Sequence, residues 1–250
     1  MRMLAIVSYD GTNYAGYQVQ PNQTTIQSTI EAALRQIHKG ERIKIVASGR
    51  TDAGVHAIGQ TFHFDSHLAI APANWKKALN ALLPKDIVIK DVTPVADDFH
   101  ARYDVRQKTY RYVVLNAEDL DPFTRNYSYH IKRHLDIEAI NQACSHLLGE
   151  HDFTAFCAAN HNVKGSMVRK IYQARCVKEA NRVTFTFSGN GFLYNMVRII
   201  VGTLIEVGLG ERTSDAFRDI IDSLDRSYAG KTAPAQGLYL QEVQYKEKRS

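Results

Sequence analysis

The run Ser48–Ala57 reads Ser-Gly-Arg-Thr-Asp-Ala-Gly-Val-His-Ala and carries more chemistry than packing. One carboxylate (Asp52), one guanidinium (Arg50) and one imidazole (His56) lie within it, with almost no apolar bulk. Gly49 and Gly54 bracket Arg50, Thr51 and Asp52, and glycine permits the φ > 0 and close backbone approach that a tight, shaped loop requires. A plain turn would instead have Thr51 and Asp52 bonding their own backbone. An aspartate can act as a covalent nucleophile, at a sugar C1′ or at a pyrimidine C6. To stay ionised while partly buried it needs a nearby cation. Arg50 and Arg198 are the two candidates.

Lys108-Thr109-Tyr110-Arg111-Tyr112 alternates as a strand does, placing Tyr110 and Tyr112 on one face and Arg111 on the other. A sheet-face tyrosine either packs into a core or offers its ring to a base, as aromatic platforms do in RNA-binding sheets. Arg102, Arg106, Lys108 and Arg111 form one basic set, and Lys164, Arg169, Lys170, Arg175 and Lys178 a second. Each set suits phosphates or simply a solvated face. Nothing matches a dinucleotide fingerprint, a Walker loop, a zincin motif or a nucleophile elbow. His63 and His67 fall at a strand end rather than on a helix, so no metal is expected and no cofactor is implied.

Gly49 to His56 resembles the signature of the tRNA pseudouridine synthase A family at all eight positions. The resemblance continues through Tyr9-Asp10-Gly11-Thr12, Asp98-Phe99-His100-Ala101-Arg102, Lys108–Tyr112, Met196-Val197-Arg198 and Gly237-Leu238-Tyr239-Leu240. It implies a cofactor-independent isomerase that acts on uridines 38, 39 and 40 of the tRNA anticodon stem-loop, as a homodimer. By the same resemblance Asp52 is the catalytic nucleophile, Arg198 pairs with it across a cleft, Tyr110 stacks on the target uracil and Arg50 levers or replaces the extruded base. Whether Asp52 attacks C1′, attacks C6 or deprotonates C2′ stays open. The alternative reading is a non-catalytic tRNA-binding or chaperone protein on RRM-like sheets, which would use the basic groove and Tyr110 but have no need of Asp52. A small-molecule hydrolase using Asp52 would leave the basic surplus unexplained.

The elements that would position these residues follow from periodicity. Met3–Tyr9 reads as a strand. Thr24 opens a capping box with Gln27 ahead of a helix bearing Ile26, Ile30, Ala33, Leu34 and Ile37. Ile43–Ala47 and Gln60–Asp65 read as strands flanking the signature loop, Asn74–Leu83 as a helix and Ile87–Val92 as a strand. The second half offers strands at Lys108–Leu115 and Tyr127–Ile131, then a helix capped by Asp136, running through Leu148 and ended by Gly149. A hairpin follows, Ile171–Lys178 with Arg182–Ser188, then a helix over Leu193–Val207, another capped by Ser214, and a closing strand Leu238–Tyr245. The long segment Thr154–Lys170, with His161 and Gly165, reads as a mobile substrate-facing loop or a plain insertion.

The fold class expected is α+β: two ferredoxin-like (RRM-like) β-α-β-β-α-β halves with a largely antiparallel sheet and an active-site cleft between them. The halves are 1–105, carrying the Asp52 loop, and 106–250, carrying Tyr110 and Arg198. Composition agrees with a globular chain: 250 residues, 44% hydrophobic, 23% charged and a net charge of +5. The surplus fits an anionic partner. Three cysteines without a CxxC pair point to a reducing compartment, and with no leader or membrane-length apolar run the expected location is the cytoplasm.

Overall fold

A computed structural model of the chain describes residues 1–158 and 165–246, so His161 and Lys164 lie outside the described residues. The class is α+β, with ten strands, mostly antiparallel, and five α-helices among the described residues. No helix is long and apolar enough to cross a membrane. The chain divides into two compact units: Met1–Arg106 with the segment from Tyr239 onward, and Gln107–Leu238.

In the first unit β1 (Arg2–Tyr9) alternates strictly, burying Met3, Ala5, Val7 and Tyr9. It pairs antiparallel with β3 (His56–Asp65) on one side and β4 (Ile87–Val95) on the other. Helices α1 (Ile26–Ile37) and α2 (Pro72–Leu82) supply Ile26, Ile30, Leu34, Trp75 and Leu79 to the core. The Trp75 ring meets Phe64 of β3 edge-on at 5.2 Å. The α1 cap is Thr25, not Thr24: its hydroxyl accepts from Ser28 N–H, and Ser28 Oγ accepts from Thr25 N–H. The capping box is therefore shifted by one residue.

Of the expected strand Ile43–Ala47 only β2 (Val46–Ala47) pairs, against Phe62 and His63. Ile43 and Ile45 are buried, but Ile45 N–H donates to Glu31 Oε1 at 3.2 Å. That apolar run marks burial without a ladder. The closing strand β10 (Leu238–Tyr245) keeps its expected bounds but is misplaced by a division into 1–105 and 106–250. Tyr239 and Leu240 pair in parallel with His56 and Ala57, and Tyr245 Oη shares a 2.5 Å hydrogen bond with Thr61 and donates to Ala101 O at 3.0 Å. These bonds tie β10 to the first unit.

The second unit orders its main strands β5 (Val105–Asn116), β9 (Arg182–Gly189), β8 (Val168–Glu179) and β7 (Gly149–Asp152), with β6 (Tyr129–Ile131) on β5. Its core joins Tyr112, Phe185 and Phe187 to α3 (Ile137–Ser145) and α4 (Met196–Gly208), with Phe217 of α5 (Ser214–Ser223) stacked on Phe156. Helix α3 stops at Ser145, and Gly149, at φ +100°, opens β7 instead of ending the helix. Helix α4 begins after Asn195, whose φ of +58° keeps Leu193–Asn195 out of the helix. Thr213, one residue before the expected Ser214, caps α5. The segment after Phe153 is shorter than expected: Phe153 N–H bonds Met167 O at 3.2 Å, and β8 starts at Val168. All three cysteines are buried thiols, and burial pushes Cys144 and Cys176 up to about 12.

His63 on β3 is buried, its Nδ1 accepting from Ala101 N–H at 3.1 Å and its ring edge-on to His100 at 5.2 Å. Burial, then the charges of Arg2 and His100, push its pKa from 6.5 down to about 4, while Asp65 and Asp104 oppose the shift. Between those two values the unfolded chain binds a proton that the folded one refuses, so stability rises with pH across that window. Urea unfolding should show full stability above pH 6.5 and a decline towards pH 4. In His63→Asn, whose Oδ1 can replace Nδ1 as acceptor, that decline should be visibly shallower; an identical pH profile would exclude His63 as its source.

Candidate active site

The signature loop is built from both ends. Upstream, Ser48 N–H donates to Thr61 O at 2.9 Å, and Ser48 Oγ donates to Gln60 Oε1 at 2.6 Å. Gln60 Nε2 then donates to Gly49 O at 3.1 Å, so one buried amide of β3 holds the entry to the loop. In the middle, Thr51 and Tyr9 share a buried hydroxyl–hydroxyl bond of 2.7 Å, and Thr51 O accepts from Tyr17 N–H at 3.0 Å. Thr51 is therefore committed to β1 rather than to its own backbone. Burial raises the Tyr9 phenol well above its usual range, so this bond stays neutral across the physiological range.

Asp52 opens a tight turn, its carbonyl accepting from Val55 N–H at 3.1 Å. Gly54, at φ +75°, occupies the position where such a turn demands a left-handed residue. Gly49 does not sit in that region; its contribution is the carbonyl that Gln60 holds. Asp52 is half-buried and Arg50 exposed.

Downstream, His56 is the first residue of β3 and is buried. Its Nδ1 lies 3.0 Å from Gly11 N and 3.1 Å from Asp10 Oδ1. The Gly11 amide can only donate, so Nδ1 is the acceptor of that bond. Asp10 Oδ1 in turn accepts from Thr12 N–H at 3.0 Å and Thr12 Oγ1 at 2.6 Å. The other side of His56 is covered by Tyr239 of β10, stacked at 4.8 Å.

Two glycines outside the signature complete the mould. A Cβ on Gly11 would overlap the Val55 carbonyl oxygen. One on Gly16, at φ +99°, would come within 2.9 Å of Thr51 O and 3.2 Å of Ala53 N. The backbone after β1 thus lies directly against the backbone of the Asp52 turn. Tyr9–Thr12 carries part of the family resemblance and Asp10-Gly11 reads as the turn after the first strand, but the sequence alone gives no task to Gly16, Gln60 or Tyr9. The signal available for the glycines was their occurrence, twice within six residues, just after a strand.

The second unit holds Tyr110 and Arg198. Tyr110 is 9% exposed, paired with Phe187 across the ladder and edge-on to Phe192 at 5.0 Å. Tyr112 is wholly buried, its hydroxyl donating to Pro234 O at 2.8 Å, and Gly237 leaves room for its ring. Arg198, half-buried on the first turn of α4, donates through Nε to Ala233 O at 2.7 Å and through Nη1 to Asn195 Oδ1 at 2.9 Å. These bonds fix the guanidinium against the segment that also anchors Tyr112. Burial holds the Tyr112 phenol neutral, with Arg198 the opposing influence. Among the described residues no group of three His, Cys, Asp or Glu side chains could hold a metal ion.

A sequence profile described as tRNA pseudouridine synthase matches residues 5–104 and 143–246. Among curated relatives, "tRNA pseudouridine synthase A" of Oceanobacillus iheyensis is 51% identical over 246 residues, covering 98% of this chain and 97% of that one. The protein of the same name from a Geobacillus species is 52% identical over 244 residues, covering 98% of each chain.

Gly11→Ala should destabilise the protein by about 1–3 kcal/mol, because the new methyl must displace buried backbone rather than a flexible side chain. Gly191→Ala, whose Cβ would meet only the Arg169 side chain at 3.6 Å, should cost far less. Urea unfolding of both variants checks this; equal midpoints would mean that the Asp52 turn is not held by the Gly11 backbone.

Proposed function

The chain belongs to the tRNA pseudouridine synthase family, and from that premise we propose an assignment of its chemistry in tRNA. Uridine is converted to pseudouridine with Asp52 as the attacking group. Arg198 is its charge partner, Tyr110 the platform for the uracil, and Arg50 the side chain that takes the place of the extruded base. The reaction is an isomerisation: the N1–C1′ bond breaks, the uracil turns, C5 bonds to C1′, the C5 proton leaves and N1 gains one. No oxidant or reductant enters that balance. Extruding a stacked base costs about a few kcal/mol, which contacts to the flipped nucleotide must offset.

The observation that carries the reading is the Gly49–His56 run held in a turn anchored by backbone bonds at Ser48, Thr51 and Val55 and by side-chain bonds of Ser48, Thr51 and His56. A nucleophile gains most from a rigid mount, since misplacement by about 1 Å can cost two orders of magnitude in rate. Three further elements of the reading are the anticodon stem-loop uridines 38 to 40 as targets, a homodimer as the working state and the cytoplasm as its location. We also read each unit as one ferredoxin-like half. The antiparallel run β4-β1-β3 with β2 on β3 supports this in the first unit, and β5-β9-β8 with α3 and α4 as its helices in the second.

Asp52→Asn should lower the single-turnover rate of pseudouridine formation by at least about a thousandfold, as loss of a nucleophile does. Its affinity for unmodified tRNA should stay within about twofold. Turnover within tenfold of wild type would remove Asp52 from the central role. For Tyr110, Phe should keep tRNA affinity while Ala forfeits about 1–3 kcal/mol of stacking. If Tyr110→Ala instead only lowers the melting temperature, and its folded fraction binds and reacts normally, the residue serves packing alone.

A further inference from the structure

The second unit carries a cleft of about 390 Å³ that the catalytic assignment does not use. Its lining comes from three neighbouring strands and follows from register. Arg111 of β5 stands opposite Thr186 of β9, which stands opposite Arg175 of β8. In the next outward-facing row Thr184 pairs with Val177, and in the third Arg182 pairs with Glu179. Neighbouring strands lie about 4.8 Å apart, so Arg111 and Arg175 flank Thr186 across about 10 Å. Arg182 stands two pleats along the same face.

The lining therefore brings together three guanidinium groups, two threonine hydroxyls and one carboxylate. Glu179 faces Arg182 and offsets part of its charge, which leaves a surplus of two positive charges. Arg175 and Arg182 are exposed, and among the described residues neither has an ion-pair partner. Guanidinium forks with hydroxyl donors between them match phosphate oxygens rather than an apolar guest. This face is also the wrong one for the reacting uracil. Tyr110 and Tyr112 point inward from β5, to Phe192 and Pro234, whereas Arg111, one residue from each, points to the opposite side of the sheet.

We propose that the Arg111–Arg175–Arg182 cleft is a phosphate-binding subsite that holds the tRNA backbone away from the reacting nucleotide. The inference rests on the functional reading above, in which tRNA is the substrate. It adds a second contact whose task is affinity and not chemistry.

The test compares wild type with Arg175→Ala/Arg182→Ala and Arg175→Lys/Arg182→Lys, using an unmodified tRNA transcript. Affinity is measured over a salt series, together with sedimentation, melting temperature and the single-turnover rate on saturated complex. Each phosphate contact contributes about 0.7–0.9 to the slope of log affinity against log salt, so the alanine pair should flatten it by about 1.5. At moderate salt tRNA should bind about tenfold more weakly, with the rate on bound tRNA unchanged. The lysine pair, which keeps the charges, should recover most of the affinity. Unchanged affinity and slope would overturn the subsite. So would a loss of affinity accompanied by a change in sedimentation, which would assign the face to a second copy of the chain. Should the alanine pair unfold, Arg175→Gln at its exposed position carries the same test with half the slope change. Wild type making no pseudouridine would sink the functional reading; wild-type turnover together with variants whose affinity and salt slope match wild type would sink only the subsite.

Discussion

The Gly11 amide donates to buried His56, and the Gly11 backbone presses on the Val55 carbonyl, leaving no room for a side chain between them. The rest of the site depends on that contact. It joins the end of β1 to the start of β3, which are already neighbours in the sheet, and so closes a frame around residues 48–55. Within the frame several polar groups have designated partners: Ser48 and Gly49 on Gln60, Thr51 on Tyr9, Val55 N–H on the Asp52 carbonyl. Buried hydrogen bonds of this kind contribute about 0.5–1.5 kcal/mol each, but an orphaned partner costs more than its bond gains. These bonds anchor the loop to β1 and β3 at both of its ends.

The second unit separates two kinds of side chain by strand alternation. On β5 the inward residues Tyr110 and Tyr112 join an apolar and hydrogen-bonded interior, where Arg198 is held by Ala233 and Asn195. The intervening Arg111 contributes to an arginine-lined cleft on the other side. One strand thereby presents aromatic side chains on one face of the sheet and a guanidinium on the other. The hairpin β8–β9 reinforces the arrangement, since its inward Cys176, Val183 and Phe185 are core while Arg175 and Arg182 are exposed.

What the sequence made legible was local. The run Gly49–His56 stood out because so many functional groups occur with so little apolar bulk, and β10 was bounded correctly by its own alternation. Its partner was not legible: alternation tells which face a residue takes, but not which strand lies beside it, and β10 returned to β3 across more than half the chain. The Tyr9–Thr51 and Ser48–Gln60 bonds were hidden for the same reason, being fixed by register and not by spacing. Smaller errors were chemical near-ties. Thr24 and Thr25 are adjacent and both can cap, and Ser28 rather than Gln27 sits three residues after the true cap. At Ile43–Ala47, buried apolar residues imitated a strand because burial and β-pairing leave the same composition.

The central claim, that this chain isomerises uridine in tRNA with its own side chains alone, meets its most direct test in the wild-type protein. Purified protein is incubated with an unmodified tRNA transcript containing uridines at positions 38 to 40, with EDTA present and no nucleotide added, and each uridine is then assayed for conversion. The account predicts pseudouridine at one or more of those positions, accumulating over many turnovers. A transcript that is tightly bound yet recovered with every uridine intact would contradict it and leave a tRNA-binding protein in its place.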